Sequence, residues 1–317
     1  MSGRSLRVVP AEDLPARRGR IATKVTARTG RVVVDRIQTY DGKGDVVEGS
    51  DDATTTAAPQ GLASAPGLPS PASRWLFPDA TNAEGTRTQL ALYNPTGRPA
   101  RLQVVITYQD PGRQAPVDPI DVDVRAREQQ LVDLTETAGI EPGVPYTVDV
   151  RSLDDVPVAA EQLRFGAPAP VVAAATDAEA DPDEEAPPAE GEPVAGFAVV
   201  AGSPLAARSW LVPSRSASTS RVASVVVANP GAASVTVRVE AFVEGKRTAV
   251  EAATVRVPAG DRRELDLSST FLNPALVVTA TGPVVVSHSV VATEGLGLTQ
   301  SLASPFPETV TELPAAR

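Results

Sequence analysis

Two stretches of the chain carry the same pattern of residues. Residues 73–95 are SRWLFPDATNAEGTRTQLALYNP, and residues 208–230 are RSWLVPSRSASTSRVASVVVANP. Each opens on a Trp-Leu-x-Pro segment, continues through a polar loop and ends an apolar run at Asn-Pro. The matched positions are Trp75, Pro78, Asn94 and Pro95 in the first stretch and Trp210, Pro213, Asn229 and Pro230 in the second. A repeat constrains the architecture before any local structure is assigned, and this one predicts an array of one repeated unit.

Alternating apolar and polar residues predict that the unit is built from β-strands. Residues 102–108 and 120–124 have the period of two that is typical of a strand with one buried face. No helical period persists for three turns anywhere in the chain. Residues 73–166 contain about seven such segments separated by turn residues, as in an immunoglobulin-type sandwich. We therefore expect an all-β protein of tandem immunoglobulin-like antiparallel sandwiches with disordered loop insertions.

The repeat also predicts the domain boundaries. Residues 73–207 and 208–317 each form a sandwich repeat, the second followed by a C-terminal tail. Residues 1–72 match only the later strands of a unit, so they form a partial leading repeat. Three or four strands cannot cover their own apolar face, and we expect a truncated or misassigned start.

An acidic, Pro- and Ala-rich insertion interrupts the first full unit at about residues 167–193. Eight of its residues are Asp or Glu and none is Lys or Arg, so it contributes most of the chain's net charge of −10. Such a composition buries too little apolar surface to become ordered. It lacks the spacing of a calcium loop, so we expect a disordered acidic loop and no metal site.

The two Asn-Pro corners have turn chemistry of their own. Asn94, Pro95 and Gly97 fit positions i, i+1 and i+3 of a type I turn. Asn229, Pro230 and Gly231 place Gly at i+2, which favours a type II turn. Both corners are expected to reverse the chain between two strands.

Residue inventory argues against catalysis and cofactor binding. The chain has no Cys, which excludes disulfides, thiolate nucleophiles and zinc thiolate sites. Its only His, His288, aligns in the repeat with Gln162 and Arg36, as expected of a solvated strand face. The positions of Asp35 and Asp79 are not occupied by a carboxylate in every copy of the repeat. We therefore expect no catalytic, cofactor-binding or metal-binding residue and no enzymatic activity.

Several binding classes can be weighed in the same way. Residues 1–36 carry nine basic and three acidic residues, but no aromatic residue interleaves with them, so nucleic-acid binding is not expected. No apolar run is long enough for a membrane helix, and residues 1–30 lack a signal-peptide core. Trp75 and Trp210 could stack on a sugar ring, although a repeated Trp beside a strand start is more typical of a core or interface position.

The motifs resemble those of an uncharacterised family of actinobacterial exported proteins, described as large secreted proteins or domains of unknown function. The resemblance rests on the repeat-defining residues above together with residues 131–134, 257–259 and 265–267. It implies an extracellular or envelope-associated, non-enzymatic structural or binding protein, with cell-wall glycan or envelope proteins as candidate partners. The alternative is a carbohydrate-binding or adhesion module accessory to an envelope enzyme. Such proteins typically begin with a membrane or signal segment, and residues 1–30 depart from that pattern.

Overall fold

The protein is all-β in a computed structural model that describes residues 5–10, 21–41, 60–83, 85–109, 116–137, 139–167, 194–213, 221–250, 253–265, 267, 274–292 and 297–314. Apart from 3-10 structure at Ala253 and at Pro307–Thr309, regular structure in these ranges is β-strand. The strands are β1 (Asp35–Asp41), β2 (Gln60–Pro66), β3 (Arg74–Ala80), β4 (Arg87–Tyr93), β5 (Ala100–Tyr108), β6 (Ile120–Val124), β7 (Gln129–Asp133), β8 (Tyr146–Ser152), β9 (Ala159–Ala167), β10 (Val194–Ala201), β11 (Leu205–Val212), β12 (Arg221–Ala228), β13 (Val235–Val243), β14 (Lys246–Ala249), β15 (Val255–Val257), β16 (Arg262–Leu265), β17 (Leu276–Ala292), β18 (Leu298–Leu302), β19 (Ser304–Pro305) and β20 (Val310–Glu312).

Two four-stranded antiparallel sheets pack face to face over the first half of the chain. Their strand orders are β3-β8-β5-β6 and β10-β9-β4-β7. The predicted alternation in residues 102–108 is confirmed, since Leu102, Val104, Ile106 and Tyr108 are buried in the shared core. Leu90 and Leu92 enter that core from the opposite sheet. The pleat of each strand therefore directs its apolar set into one layer between the sheets.

The second half of the chain folds around one long strand. β17 pairs with β11 and β13 through its first half and with β12 and β18 through its second half. In the first sandwich the corresponding strands, β8 and β9, are separate and joined by residues 153–158. The second sandwich has only a short Gly282-Pro283 step there, so a single strand crosses from one sheet to the other. This crossing merges the second half into one ten-stranded sheet.

The Asn-Pro corners are organised by the Asn side chains. The buried Asn94 amide donates to the carbonyls of Arg98 and Val124, and its oxygen accepts from the backbone N–H of Thr96. Asn229 makes the corresponding bonds to Ala233, Val257 and Gly231. In both corners the Asn side-chain oxygen accepts from the backbone N–H two residues later, and this bond takes the place of a backbone turn hydrogen bond.

One of the two turn predictions was wrong. A type II corner needs a positive φ at its third residue, and Gly231 is not among the described glycines with positive φ. The Asn229 side chain supplies the turn bond instead, at 3.0 Å from the Gly231 nitrogen. The extra freedom of glycine is therefore not used at this corner.

Three strand hairpins extend beyond the sandwich cores: β1–β2, β9–β10 and β17–β18. The first belongs to the predicted partial leading repeat, of which residues 1–4, 11–20 and 42–59 lie outside the described residues. Residues 168–193 of the predicted acidic insertion also lie outside them. The domain boundaries inferred from the repeat stay a prediction.

Candidate functional site

Both repeated tryptophans lie in the sandwich cores. Trp75 and Trp210 are each 1% exposed. The Trp75 indole N–H donates to the carbonyl of Val158 at 2.9 Å, and that of Trp210 donates to Val284 at 3.0 Å. A buried indole normally needs such an acceptor. Neither ring is placed to stack on a sugar.

The two prolines of the Trp-Leu-x-Pro segments have different surroundings. Pro78 is buried in β3, the edge strand of its sheet, whereas Pro213 is exposed just after β11. An edge strand tolerates proline because no ladder bond is lost there. Pro95 and Pro230, next to the buried corner asparagines, are half-buried.

His288 lies on β17 with Val225 on one side and Ser301 on the other. Its Nε2 is 3.2 Å from the Ser301 hydroxyl, a contact across the hairpin. Ser287 and Ser289 point to the opposite face of the strand, as neighbouring strand residues must.

The most concentrated buried polar chemistry lies between the two sandwiches. Its centre is Asp79, near the end of β3. Within the first sandwich, one residue contacts the Asp79 side chain and another contacts its backbone. The Arg164 guanidinium is 3.5 Å from one Asp79 carboxylate oxygen. The Gln162 amide donates to the Asp79 backbone carbonyl at 3.0 Å. Arg164 and Gln162 are on the same face of β9, so one strand supplies both contacts.

The second sandwich completes this cluster with two side chains. Arg262, at the start of β16, donates to the Asp79 carboxylate at 3.1 Å and to the Pro78 carbonyl at 3.1 Å. Its remaining nitrogen donates to Gln109 at 3.4 Å. Gln300 on β18 donates to the Asp79 carbonyl at 2.9 Å. We call Asp79, Gln162, Arg164, Arg262 and Gln300 the interdomain cluster.

Burial gives the interdomain cluster its electrostatic character. Arg262 is 1% exposed, and this desolvation lowers the pKa of its guanidinium, an effect opposed by the nearby Asp79 charge. Desolvation, followed by the Asp79 charge, raises the pKa of the Glu264 carboxyl two residues along β16. Glu264 is nevertheless exposed, so solvent screens much of that effect.

The cluster is not fully hydrogen-bonded. The side-chain oxygens of Gln162 and Gln300 and the Nε of Arg164 are buried and make no hydrogen bond in the structure. Buried polar groups without partners cost free energy, and a buried ion pair is weak evidence for stability. These contacts are better suited to fixing one relative orientation of the sandwiches than to strengthening the fold.

Apolar contacts surround the interdomain cluster. Leu76, the residue of β3 that points away from its own core, packs into the core of the second sandwich. Leu302 on β18 packs against both cores. The backbone of Leu76 also exchanges two hydrogen bonds with Ser203, at the start of the connection between the sandwiches. The interface therefore combines a polar centre with apolar and backbone contacts.

The sequence identified Asp79 only as a candidate catalytic carboxylate and did not connect it with its four partners. The expectation of a solvated strand face was wrong for Gln162, which is 0% exposed. Asp79 and Arg262 are 183 residues apart in the chain, so no local pattern joins them. One feature of the sequence could have pointed to Asp79: it is not repeated, because Ser214 occupies the matching position of the second repeat.

Other site classes find no support within the described residues. No group of three or more His, Asp or Glu side chains there could hold a metal ion. None of the described helical structure is long and apolar enough to cross a membrane.

The chain belongs to DUF5719, a family of unknown function, whose model matches residues 2–212. This agrees with the uncharacterised family expected from the sequence motifs. No curated protein matches the chain with significance.

Two solved structures are similar to parts of this chain. One is the crystal structure of Thermotoga maritima 1070, with 17% identity, 42% of this chain and 94% of that chain covered, and a TM-score of 0.29. The other is the Anabaena sensory rhodopsin transducer, with 18% identity, coverage of 30% and 91%, and a TM-score of 0.26. At these TM-scores neither similarity bears on function.

Replacing Arg262 tests the role of the interdomain cluster. We expect Arg262→Met to lower the free energy of unfolding by about 3 kcal/mol, because Asp79 keeps Arg164 but loses its closer buried partner. Denaturant unfolding measures the loss. Arg238→Met, which removes an exposed Arg from the same sandwich, is the matched control, and equal stability of the two variants would contradict the assignment.

Proposed function

We propose that this member of the DUF5719 family is a non-enzymatic structural or binding protein that is exported or associated with the cell envelope. The observation that carries the proposal is the contact of Arg262 with Asp79 and Pro78 across the interface. The most deeply buried charge of the described chain joins two sandwiches. A chain that fixes the geometry between its modules is suited to spanning or presenting surfaces.

The finer architecture is part of this proposal. We infer that the two sandwiches are tandem immunoglobulin-like copies of one unit, preceded by a partial copy. Support comes from matched contacts, since Trp75 bonds to Val158 where Trp210 bonds to Val284. The strand register agrees as well, because Leu90 pairs with Gln162 where Val225 pairs with His288.

The absence of enzymatic activity is inferred from the roles of the candidate groups. Asp79 engages two arginines and two glutamines inside an interface, where its side chain is only 12% exposed. Asp35 accepts from the Ser64 hydroxyl and Glu161 pairs with Arg36. These carboxylates act in contacts between strands and hairpins.

The two tryptophans that suggested a carbohydrate-binding module are not at the surface. It needed Trp75 or Trp210 at the surface, and both are 1% exposed. A glycan-binding surface would have to be formed by other residues. Cell-wall glycan and envelope proteins remain the partner classes that the family resemblance suggests.

Envelope association and an actinobacterial source rest on the resemblance of the repeat motifs to exported proteins. The composition is compatible with export, since a chain without Cys folds independently of the redox compartment. The acidic net charge of −10 favours solubility over adhesion to anionic polymers.

Replacing the two tryptophans distinguishes a structural protein from a carbohydrate-binding module. We expect Trp75→Phe and Trp210→Phe to lower the unfolding midpoint, because each removes a buried indole and its hydrogen bond. We expect neither to change binding on an array of bacterial and wall glycans. Phe242→Ala, which removes an aromatic side chain that is 37% exposed, serves as the control. Glycan binding that disappears in a Trp variant of unchanged stability would favour the carbohydrate-binding module.

The location is tested independently. Antibody detection of the native protein in medium, envelope and cytoplasmic fractions of its source organism should find it outside the cytoplasm. Recovery from the cytoplasm alone would refute envelope association while leaving the structural role intact.

A further inference from the structure

The three hairpins have matched sequences at the start of their second strands. Gly61-Leu62, Gly196-Phe197 and Gly297-Leu298 occupy the same place relative to the hairpin pairing. Each hairpin has two faces because neighbouring strand residues point to opposite sides. We call the face that carries Leu62, Phe197 or Leu298 the front face, and the opposite one the back face.

The back face of the first hairpin packs on the front face of the second. Tyr40, Ala63 and Ala65 contact Phe165 and Phe197. The chain approaches so closely at Gly61 that a Cβ there would lie 2.9 Å from the Phe197 nitrogen.

An ion pair lies at the side of this first contact. Arg36 on the back face of the first hairpin is 2.9 Å from Glu161 on the front face of the second. The pair is partly exposed, so it contributes more to alignment than to stability.

The second contact repeats the arrangement in the same direction. The back face of the second hairpin presents Ala198, which packs with Leu298 and Val291 on the front face of the third. A Cβ at Gly196 would lie 2.7 Å from the Leu298 Cβ. In both contacts a glycine on one hairpin makes room for the large front-face residue of the next hairpin.

The front face of the first hairpin is not covered by any described part of the chain. Leu62 is 62% exposed and Ile37 is 70% exposed, whereas the matching Phe197 and Leu298 are 1% and 3% exposed. Exposed residues alternate with buried or half-buried ones along β2. The strand thus has one covered face and one face open to solvent, on which Leu62 lies between the polar Gln60 and Ser64.

The back face of the third hairpin is open as well. Thr299 and Ser301 are exposed there, and His288, Val290 and Ala292 are half-buried. This face carries Gly297 at the position where Gly61 and Gly196 receive the next hairpin. Among the described residues, the two outer faces of the stack are therefore complementary halves of the contact that already occurs twice inside it.

We propose that the front face of the first hairpin docks onto the back face of the third hairpin of a second copy of this chain. Leu62 of one copy then packs at Gly297 of its neighbour, as Phe197 packs at Gly61. Asp35 of one copy lies opposite His288 of its neighbour, the positions that Glu161 and Arg36 occupy in the first contact. The docking is independent of envelope location and of any glycan ligand.

The geometry of the stack determines the kind of assembly. Each internal contact joins a back face to a front face, so the interface between copies is heterologous. Such interfaces give open filaments unless the rotation closes a ring. Ser214 replaces Asp79 at the matching site of the second sandwich, so the interdomain cluster does not recur between copies. The assembly consequently relies on the hairpin faces and depends on protein concentration.

Sedimentation velocity of the full chain over a concentration series tests the docking. We expect species that grow beyond a dimer in the wild type and monomers for Leu62→Arg on the front face and for Thr299→Arg on the back face. Both residues are exposed, so neither change disturbs the core. Leu153→Arg, which alters a 51% exposed leucine in a loop, should assemble as the wild type does.

Mixing the two interface variants gives the decisive outcome. Leu62→Arg retains an intact third hairpin and Thr299→Arg an intact first hairpin, so together they should form a 1:1 dimer that grows no further. A wild-type chain that stays monomeric throughout the series overturns the proposal. So does assembly that survives either substitution, or a mixture that remains monomeric.

Discussion

A buried guanidinium must find its hydrogen-bond partners inside the protein, and Arg262 finds them on the neighbouring sandwich. It donates to the carboxylate of Asp79, the carbonyl of Pro78 and the amide of Gln109. Desolvation of such a charge costs several kcal/mol unless these partners are in place. Any rotation of one sandwich against the other would separate Arg262 from all of them at once. One side chain therefore links the stability of β16 to the orientation of the modules.

The hairpin stack supplies the apolar burial that the polar cluster lacks. Aromatic rings of Tyr40, Phe165 and Phe197 pack together between the first two hairpins, with centroids 4.7 to 5.4 Å apart. Small residues at Gly61 and Gly196 allow the backbones to approach closely. Non-directional packing brings the hairpins together, and the directional contacts of Asp79 and Glu161 select one register. Both kinds of contact are needed for a chain of modules with a defined shape.

The sequence predicted the parts of the fold that local periodicity controls. Alternation located β5 and β6 because a half-buried strand must alternate, and the repeated tryptophans were correctly expected in the cores. The turn at Gly231 was predicted incorrectly because the Asn229 side chain replaces the backbone bond that a glycine would otherwise permit.

The interdomain cluster could not be predicted, since comparing copies favours positions that recur. Asp79 matches Ser214, and Arg262 contacts it across 183 residues. The polar contacts of the interdomain cluster thus centre on Asp79, a position at which the two repeated stretches differ. Departures from the pattern are therefore informative about how neighbouring units join.

The contacts of Arg262 with Pro78 and Asp79 predict one fixed orientation of the two sandwiches, and a distance measurement tests it directly. The chain has no native Cys, so spin labels can be attached at Arg101→Cys and Arg238→Cys, two exposed strand positions on different sandwiches. Double electron–electron resonance on labelled protein diluted with unlabelled protein should give one narrow distance distribution. A broad or multi-peaked distribution would contradict a fixed arrangement of the two sandwiches.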